Sequence, residues 1–273
     1  MTSKETIDVM VNANRRNWNS RVGVHLDSDF YDVAGFVRER APRLDPVTRK
    51  EVGDVSGKSL LHLQCHIGLD TISWVLVGAK ATGVDFSVPA LDAARDIAPK
   101  MEVEATFVES DVLALNLGQE FDIVFASHGV LCWIADIDQW FGVAAKHLKP
   151  GGFLYLLDGH PFADVFDIDD PGLRELRVSS KPAYFTSGPE RIEWPHTYAS
   201  TEGIDHPTNY QWTHGIGGIV NAASGAGLAI ESVHEFPFSA WQRFGFMKFD
   251  GEWWRIGGDP IPLMLSIKAR KPL

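Results

Sequence analysis

From Ser59 onward, short apolar runs alternate with longer amphipathic stretches. The short runs with strand-like composition are SLLHLQ, KATGVDFS, EATFVESDV, FDIVFASHG and FLYLLDGHP. The stretches with apolar residues at helical spacing are GLDTISWVLVGA, VPALDAARDIAPK and IDQWFGVAAKHLKPGG. Alternating strands and helices predict βαβ units, and therefore a mostly parallel sheet with helices on both faces.

The segments flanking this core have other patterns. Residues 1–50 are mixed and polar, which predicts a helical N-terminal segment that can act as a lid. Residues 161–214 are acidic, Pro-rich and aromatic, and they are too long for a plain connection, so we expect a lid or substrate-side insert. Residues 215–273 return to a helix and strands that complete the sheet. Because no repeat or linker divides the chain, we expect one domain, residues 1–273, with its ligand-binding core at 55–160.

Charge and composition narrow the classes of partner. The formal net charge of −11 opposes binding to a phosphate backbone, so we expect no nucleic-acid partner. The sequence shows neither an export signal nor a long apolar run, so we expect a cytoplasmic protein with no membrane partner. Two cysteines, Cys65 and Cys132, are too few for a disulfide framework or a Cys-based zinc site, and we expect no metal. A small-molecule ligand fits these properties best.

The stretch LLHLQCHIGLD, residues 60–70, contains the loop after the first predicted strand. Ligands of such sheets lie beyond the carboxyl ends of the strands. Gly68 permits a close backbone approach where the next helix begins, but Gln64 and His66 carry side chains where a dinucleotide fingerprint has glycines. The loop therefore favours a nucleoside without phosphates and argues against an NAD-dependent oxidoreductase.

Two acidic residues end successive strands of the predicted sheet. Asp85 closes the second strand, where its carboxylate can accept hydrogen bonds from both ribose hydroxyls. Asp111 closes the third strand, where a carboxylate can accept from the amino group of an adenine. The alternative is that both residues are helix N-caps, a position that Asp favours.

Five stretches together resemble the motifs of class I S-adenosylmethionine-dependent methyltransferases: LLHLQCHIG, ATGVDFS, ESDV, FDIVFASHGVLCW and HLKPGGFLYLLDGHP. The resemblance covers roughly residues 60–160 and, more loosely, 215–272. It departs in the first motif, where the family usually has an acid at the position of His62 and glycines at those of Gln64 and His66. It implies a Rossmann-like α/β fold with a seven-stranded sheet whose last strand runs antiparallel, and S-adenosylmethionine as the cofactor.

The resemblance also implies where the cofactor binds. We expect Gln64 or His66 to hydrogen-bond its carboxylate. The expected cofactor-binding residues are Trp18, Gln64, Cys65, His66, Gly68, Asp85, Phe86, Asp111, Val112 and Ser127.

Methyl transfer to a hydroxyl or an amine needs a base, and histidine serves most often. His128 follows the fourth strand and His160 the fifth, so they are the candidate catalytic residues. Either can instead orient the substrate or satisfy a local hydrogen bond. Aromatic side chains line apolar pockets and attract cations, although most of them are ordinary core. The candidate substrate-binding residues are Tyr31, Trp133, Trp194, Tyr198, Trp212 and His214.

These features together predict an S-adenosylmethionine-dependent methyltransferase with a small-molecule acceptor, at oxygen or nitrogen rather than carbon. Two alternatives stay open. One is an enzyme that consumes the same cofactor without methylating, for example by an intramolecular displacement that releases methylthioadenosine. The other is a non-catalytic scaffold with a degenerate cofactor site.

Overall fold

The computed structural model describes residues 4–168, 172–180, 184–186 and 188–273. The other residues, which include parts of the predicted insert at 169–171, 181–183 and 187, lie outside this description. The helices are α1 (Lys4–Leu26), α2 (Val33–Glu39), α3 (Pro46–Val52), α4 (Leu69–Leu76), α5 (Val88–Lys100), α6 (Ile137–Lys146) and α7 (Ile216–Gly225). The strands are β1 (Ser59–Leu63), β2 (Lys80–Asp85), β3 (Thr106–Glu109), β4 (Phe121–Ser127), β5 (Leu148–Gly159), β6 (Pro189–Glu193), β7 (Thr208–Trp212), β8 (Ala229–Phe236), β9 (Phe238–Ser239), β10 (Lys248–Phe249), β11 (Trp254–Arg255) and β12 (Met264–Arg270). Short 3₁₀ turns lie at Val112–Ala114, Leu131–Trp133 and Pro161–Val165.

The central sheet has seven strands in the order β3-β2-β1-β4-β5-β12-β8. Neighbouring pairs from β3 to β5 are parallel, whereas β12, the last strand of the chain, runs antiparallel to both β5 and β8. The predicted Rossmann-like sheet with an antiparallel last strand is therefore confirmed. The carboxyl ends of β1, β2 and β4 meet at one edge, which is where a ligand of this fold is expected.

Side chains of β1 alternate between two apolar layers, as a strand buried on both faces requires. Leu61 and Leu63 pack with Trp140 of α6 and with α7, whereas Leu60 packs with Trp74 of α4 and with α3. No helix among the described residues is long and apolar enough to cross a membrane.

Strand β5 begins earlier than the sequence pattern predicts. The LKPGG stretch was expected to turn the chain ahead of a strand at Phe153, but Leu148 already pairs with Phe121, and the register shifts before Ile123. Gly152 permits this irregular entry, because a Cβ there would lie 2.8 Å from the carbonyl oxygen of Asp122. Glycine in this position therefore lets two backbones approach closely instead of ending the strand.

The predicted insert contains an antiparallel hairpin of β6 and β7 that packs against α1. Asn14 on α1 makes two hydrogen bonds to the backbone of Tyr210: its Nδ2 donates to the carbonyl at 2.8 Å, and its Oδ1 accepts from the N–H at 2.7 Å. Asn17 Nδ2 donates to the carbonyl of His206 at 2.6 Å. A further small sheet, β10-β11-β9, lies between β8 and β12 along the chain and was not expected from the sequence.

His62 occupies a buried position on β1. Its Nδ1 lies 2.8 Å from Thr71 Oγ1, and its ring packs edge-on against Phe125 at a centroid distance of 4.9 Å. Burial, with a smaller contribution from His128, lowers the pKa of His62 from 6.5 to about 3. The imidazole is therefore neutral in the folded chain at physiological pH.

We expect His62 to make stability depend on pH. Between pH 6.5 and about 3 the unfolded chain binds a proton at this residue and the folded chain does not, so the free energy of unfolding falls as the pH is lowered through 6.5. The slope from one such histidine approaches about 1.4 kcal/mol per pH unit. Denaturant titrations of His62→Gln at several pH values should show that its free energy of unfolding changes less steeply with pH, between pH 6.5 and 5, than that of the wild type. An unchanged slope would contradict the assignment.

Gly68 is packed too closely for a side chain. Its φ is +75°, and a Cβ would lie 2.8 Å from both Ala94 Cβ and Phe107 Cε1. We expect Gly68→Ala to lower the free energy of unfolding by about 2 to 4 kcal/mol, from overpacking and backbone strain together. The matched control is Gly118→Ala, because Gly118 has φ +66° with nothing within 4 Å of its Cβ position. In the control the free energy of unfolding should fall by about 1 kcal/mol. An equal fall in Gly68→Ala and Gly118→Ala would refute the close packing at Gly68.

Candidate active site

The loop between β1 and α4 has an unusual backbone. Gln64, His66 and Gly68 have φ values of 57°, 50° and 75°, a region that non-glycine residues seldom adopt unless their surroundings fix them. The Gln64 side chain is held at both ends: its Nε2 donates to the carbonyl of Val130 at 3.1 Å, and its Oε1 accepts from Trp140 Nε1 at 3.0 Å. The amide of Gln64 thus braces the loop. His66 and Ile67 face α1, where Ile67 packs in a cluster with Val22.

His66 lies against α1, in contact with two of its residues. His66 Nε2 is 2.8 Å from His25 Nδ1, and the His66 ring is edge-on to Trp18 at 5.2 Å. Burial, followed by the charge of Arg21, lowers the pKa of His25 to about 3, and burial, His25 and Arg21 lower the pKa of His66 well below its usual value. Both imidazoles are therefore neutral near pH 7, and their lowered pKa values make them weak proton acceptors that act mainly through hydrogen bonds.

Asp85 ties the end of β2 to the loop. Its Oδ2 accepts from the backbone N–H of His66 at 2.8 Å and its Oδ1 from that of Ser87 at 2.9 Å. Burial raises the pKa of Asp85, and these backbone hydrogen bonds oppose that rise. The N-cap of α5 is Ser87, whose side chain accepts from Ala90, so the capping alternative is wrong for Asp85. Each carboxylate oxygen retains a lone pair for a further donor.

Asp111 does act as a cap, because its Oδ1 accepts from the N–H of Leu113 at 2.9 Å. Val112 begins the same 3₁₀ turn and is buried. Phe86 follows Asp85 and lies under the guanidinium of Arg15, at 5.7 Å from the ring centroid. The three residues flank the carboxyl ends of β2 and β3.

The thiol of Cys65 is directed into the protein rather than toward this edge. Its Sγ would lie 2.7 Å from a Cβ at Gly83, and it packs in an apolar cluster with Phe36, Ile72 and Leu91. Burial raises the pKa of the Cys65 thiol well above its ordinary value. A direct side-chain contact with a cofactor, as expected from the sequence, is therefore not supported.

The end of β4 carries a second group of polar side chains. Ser127 Oγ donates to Asp70 Oδ2 at 2.9 Å. Burial raises the pKa of Asp70, and His128 opposes this. His128 has φ 59°, and its Nε2 lies 3.7 Å from Asp45 Oδ2 without a hydrogen-bond partner among the described residues. Of the two predicted bases, His128 is the one with a ring nitrogen, Nε2, that has no hydrogen-bond partner in the described part of the chain; this atom is shielded from solvent.

His160 is occupied by its local structure. Its Nδ1 accepts from the N–H of Phe162 at 3.1 Å, which caps the turn after β5, and its Nε2 lies 2.8 Å from Glu235 Oε1 on β8. The residue is only 3% exposed. Both ring nitrogens of His160 are thus engaged, which fits the alternative of a local hydrogen-bonding role and makes His160 a weaker candidate base than His128.

Aromatic residues from three parts of the chain converge beside His66. The ring of Trp18 on α1 lies 5.2 Å from that of Trp133 after β4. Tyr31 and Tyr198 hydrogen-bond each other through their hydroxyls and so join the N-terminal segment to the insert. Burial raises the pKa of both phenols. Four of the six expected substrate-binding residues thus meet beside Trp18: Tyr31, Trp133, Trp194 and Tyr198. These five aromatic residues are called the aromatic wall.

The other two expected substrate-binding residues have structural contacts. Trp212 is buried on β7 at 7% exposure. His214 Nε2 lies 2.7 Å from the carbonyl oxygen of Ile134, just after Trp133. Among the described residues, no group of three or more His, Cys, Asp or Glu side chains is arranged to hold a metal ion.

The candidate site residues predicted from the sequence did not include Arg21, His25 or Asp158. Arg21 is 1% exposed and stacks over Trp18, Trp133 and Trp194, at 4.8, 5.5 and 6.0 Å from their ring centroids. Three residues of α1, Trp18, Arg21 and His25, follow one another at intervals of three and four positions. This spacing places them on one face of the helix. A polar face of this kind usually predicts contact with solvent, which is why it was overlooked.

Asp158 on β5 shapes the segment that leads to Trp133. Its carboxylate accepts four backbone N–H groups, from Gly129, Val130, Leu131 and Gly159, at 2.6, 3.1, 2.8 and 2.6 Å. A buried carboxylate with this many donors fixes the backbone around it. The position of the aromatic wall therefore depends on a residue inside the sheet.

Residues 61–154 match the family model described as methyltransferase domain. The cypemycin N-terminal methyltransferase of Streptomyces sp is 30% identical over 105 residues, which are 37% of this chain and 42% of that protein. A ubiquinone biosynthesis O-methyltransferase of Bradyrhizobium sp. (strain ORS 278) is 29% identical over 119 residues, 44% of this chain and 47% of that protein. The chain thus spans under half the length of these relatives.

The fold has a counterpart among solved structures. The crystal structure of an S-adenosylmethionine-dependent methyltransferase from Mesorhizobium loti matches with a TM-score of 0.60 at 23% identity, over 83% of this chain and 96% of that one. The methyltransferase resemblance predicted from the five motifs is confirmed for residues 61–154. Residues 61–154 therefore form a methyltransferase domain, within a chain that has the class I S-adenosylmethionine-dependent methyltransferase fold.

Proposed function

We propose that this chain is an enzyme that transfers the methyl group of S-adenosylmethionine to an oxygen or nitrogen atom of a small-molecule acceptor. One observation carries the proposal: hydrogen bonds join the loop after β1 to the end of β2, and the first turn of α4 to the end of β4, at the edge where this fold binds its ligand. They are the contact of the His66 N–H with Asp85 and that of Ser127 with Asp70. The names of the relatives, one an N-terminal and one an O-methyltransferase, support either acceptor atom.

The residues at this edge fit the cofactor. Gly68 makes no side-chain cap to α4, so the first amides of that helix can donate to a carboxylate. Asp85 would accept the ribose hydroxyls, and Asp111 an adenine amino group. Trp18 and Trp133 present aromatic faces that attract a sulfonium. The cofactor supplies an electrophilic methyl group on its sulfonium sulfur.

His128 is the candidate base for the acceptor's proton. Its Nε2 is free of hydrogen bonds among the described residues, and Asp45 lies 3.7 Å away, where it can stabilise the protonated ring. The neutral His25 and His66 would hydrogen-bond to ligands rather than remove protons. The aromatic wall would exclude water from the reacting atoms.

Calorimetric titration of the full chain with S-adenosylmethionine and with S-adenosylhomocysteine tests the proposal. Binding in the micromolar range is expected for both. The incubated mixture with candidate hydroxyl and amine acceptors should then yield S-adenosylhomocysteine on chromatography. Release of methylthioadenosine instead would indicate the intramolecular displacement, and no binding to either ligand would favour the scaffold.

We expect Asp85→Ala to weaken S-adenosylhomocysteine binding more than tenfold, or about 1.4 kcal/mol, because the ribose loses its acceptor. The affinity of Asp85→Asn, which keeps one carbonyl oxygen, should lie between that of the wild type and that of Asp85→Ala. The matched control is Asp92→Ala, since Asp92 is exposed on α5 and pairs with Arg95 at 2.9 Å. Thermal unfolding of each variant verifies its fold, and unchanged affinity in a folded Asp85→Ala would refute the ribose contact.

A further inference from the structure

Arg21 is a buried cation whose guanidinium has no counter-ion among the residues that the structure describes. Its Nε and Nη2 atoms are shielded from solvent and have no hydrogen-bond partner within the described part of the chain. Burial lowers the pKa of Arg21, and Tyr198, Tyr31 and Cys132 oppose the shift. An arginine nevertheless stays protonated in proteins. Because an unpaired buried charge is strongly unfavourable, this arrangement needs an explanation.

The neighbours of Arg21 form a receptor for a ligand rather than an ion pair. Trp18, Trp133 and Trp194 contribute ring faces, which attract the guanidinium but give its Nε and Nη2 no acceptor within the described residues. On the same helix, His25 Nε2 is also buried without a partner in the described residues. Two unsatisfied polar groups one turn apart, within an aromatic enclosure, indicate a place for a polar ligand group.

The geometry points to a carboxylate on the methyl acceptor, bound by the guanidinium of Arg21 inside the enclosure of Trp18, Trp133 and Trp194. This inference rests on the proposed function, because it names the acceptor class of the same site. A guanidinium matches a carboxylate through two parallel hydrogen bonds. One cation balances one negative charge, which favours a monoanion over a phosphate.

The position of Arg21 favours the acceptor over the cofactor as the source of this carboxylate. Two of its three aromatic neighbours come from segments other than the loop after β1: Trp133 follows β4, and Trp194 belongs to the insert after β5. The third, Trp18, also contacts His66 of that loop. The first amides of α4 are available to the carboxylate of the cofactor, because Gly68 provides no side-chain cap. The rings of Trp18 and Trp133 pack edge to face at 5.2 Å. An aromatic or otherwise apolar acid would part these rings, pack against them and place its charge on Arg21.

The first test is ligand discrimination by protein saturated with S-adenosylhomocysteine, so that the cofactor's own carboxylate is already bound. The probes are matched pairs: indole-3-acetate with indole-3-acetamide, 4-hydroxybenzoate with 4-hydroxybenzamide, and phenylacetate with phenylacetamide. Tryptophan fluorescence should report at least one acid that binds ten times more tightly than its amide. Arg21→Met should remove this preference, and Arg21→Lys should retain part of it.

The matched control is Arg16→Met, since Arg16 is exposed on the same helix. It should keep the wild-type preference for the acid. Equal binding of every acid and its amide, or no binding of any acid to the loaded wild type, would overturn the inference. So would a loss of S-adenosylhomocysteine affinity in Arg21→Met with unchanged affinity for methylthioadenosine, because Arg21 would then hold the cofactor's carboxylate. If the proposed function itself is wrong, the wild type will not bind S-adenosylhomocysteine at all.

A second readout separates binding from a structural role. If Arg21 awaits a ligand, Arg21→Met removes an unpaired charge and should raise the melting temperature of the ligand-free protein. If Arg21 instead serves to stack the three tryptophans, the same variant should lower it. A lowered melting temperature together with unchanged probe binding would overturn the inference.

Discussion

The active-site edge depends on the burial of a polar helix face. Asn14 hydrogen-bonds to both the N–H and the carbonyl of Tyr210, as the backbone of a neighbouring strand would do along β7. Because Asn14 is buried in this contact at 1% exposure, separating α1 from the hairpin would break both hydrogen bonds. The same docking brings Arg21 against Trp133 and Trp194. The helix, the hairpin and the wall thus form one unit above the sheet.

A second constraint comes from within the sheet. The carboxylate of Asp158 gathers backbone N–H groups of residues 129–131, and the chain then enters the turn that carries Trp133. Below the loop after β1, Gly68 lets Phe107 and Ala94 approach closely. The ligand-binding edge is therefore held on the sheet side by the hydrogen bonds of Asp158 and the close packing at Gly68. On the other side it is held by the contacts of α1 with the hairpin.

The sheet could be predicted because its signals are local. Short apolar runs alternating with amphipathic stretches sufficed for β1 to β5, and strand-end position alone singled out Asp85. The start of β5 was missed, since KPGG usually ends an element, and here Gly152 instead permits close backbone contact.

The site was harder to predict, because its key contacts join residues far apart in sequence. Asn14 and Tyr210 are 196 positions apart, and no local pattern shows that they meet. Arg21 and His25 belong to a polar helix face, which composition assigns to solvent. His160 was expected to act as a base because it follows a strand, yet its two nitrogens serve a turn and Glu235. Position in the topology located the edge, but only tertiary contacts distinguish a ligand-facing side chain from a structural one.

The central claim is that α1, the loop after β1 and the hairpin form one ligand-binding unit. Amide hydrogen exchange of the full chain, with and without S-adenosylhomocysteine, tests it most directly. The account predicts that the ligand slows exchange together in residues 4–26, 64–70 and 189–212. Protection confined to residues 64–70 and 85–87, with unchanged exchange in α1 and the hairpin, would contradict it.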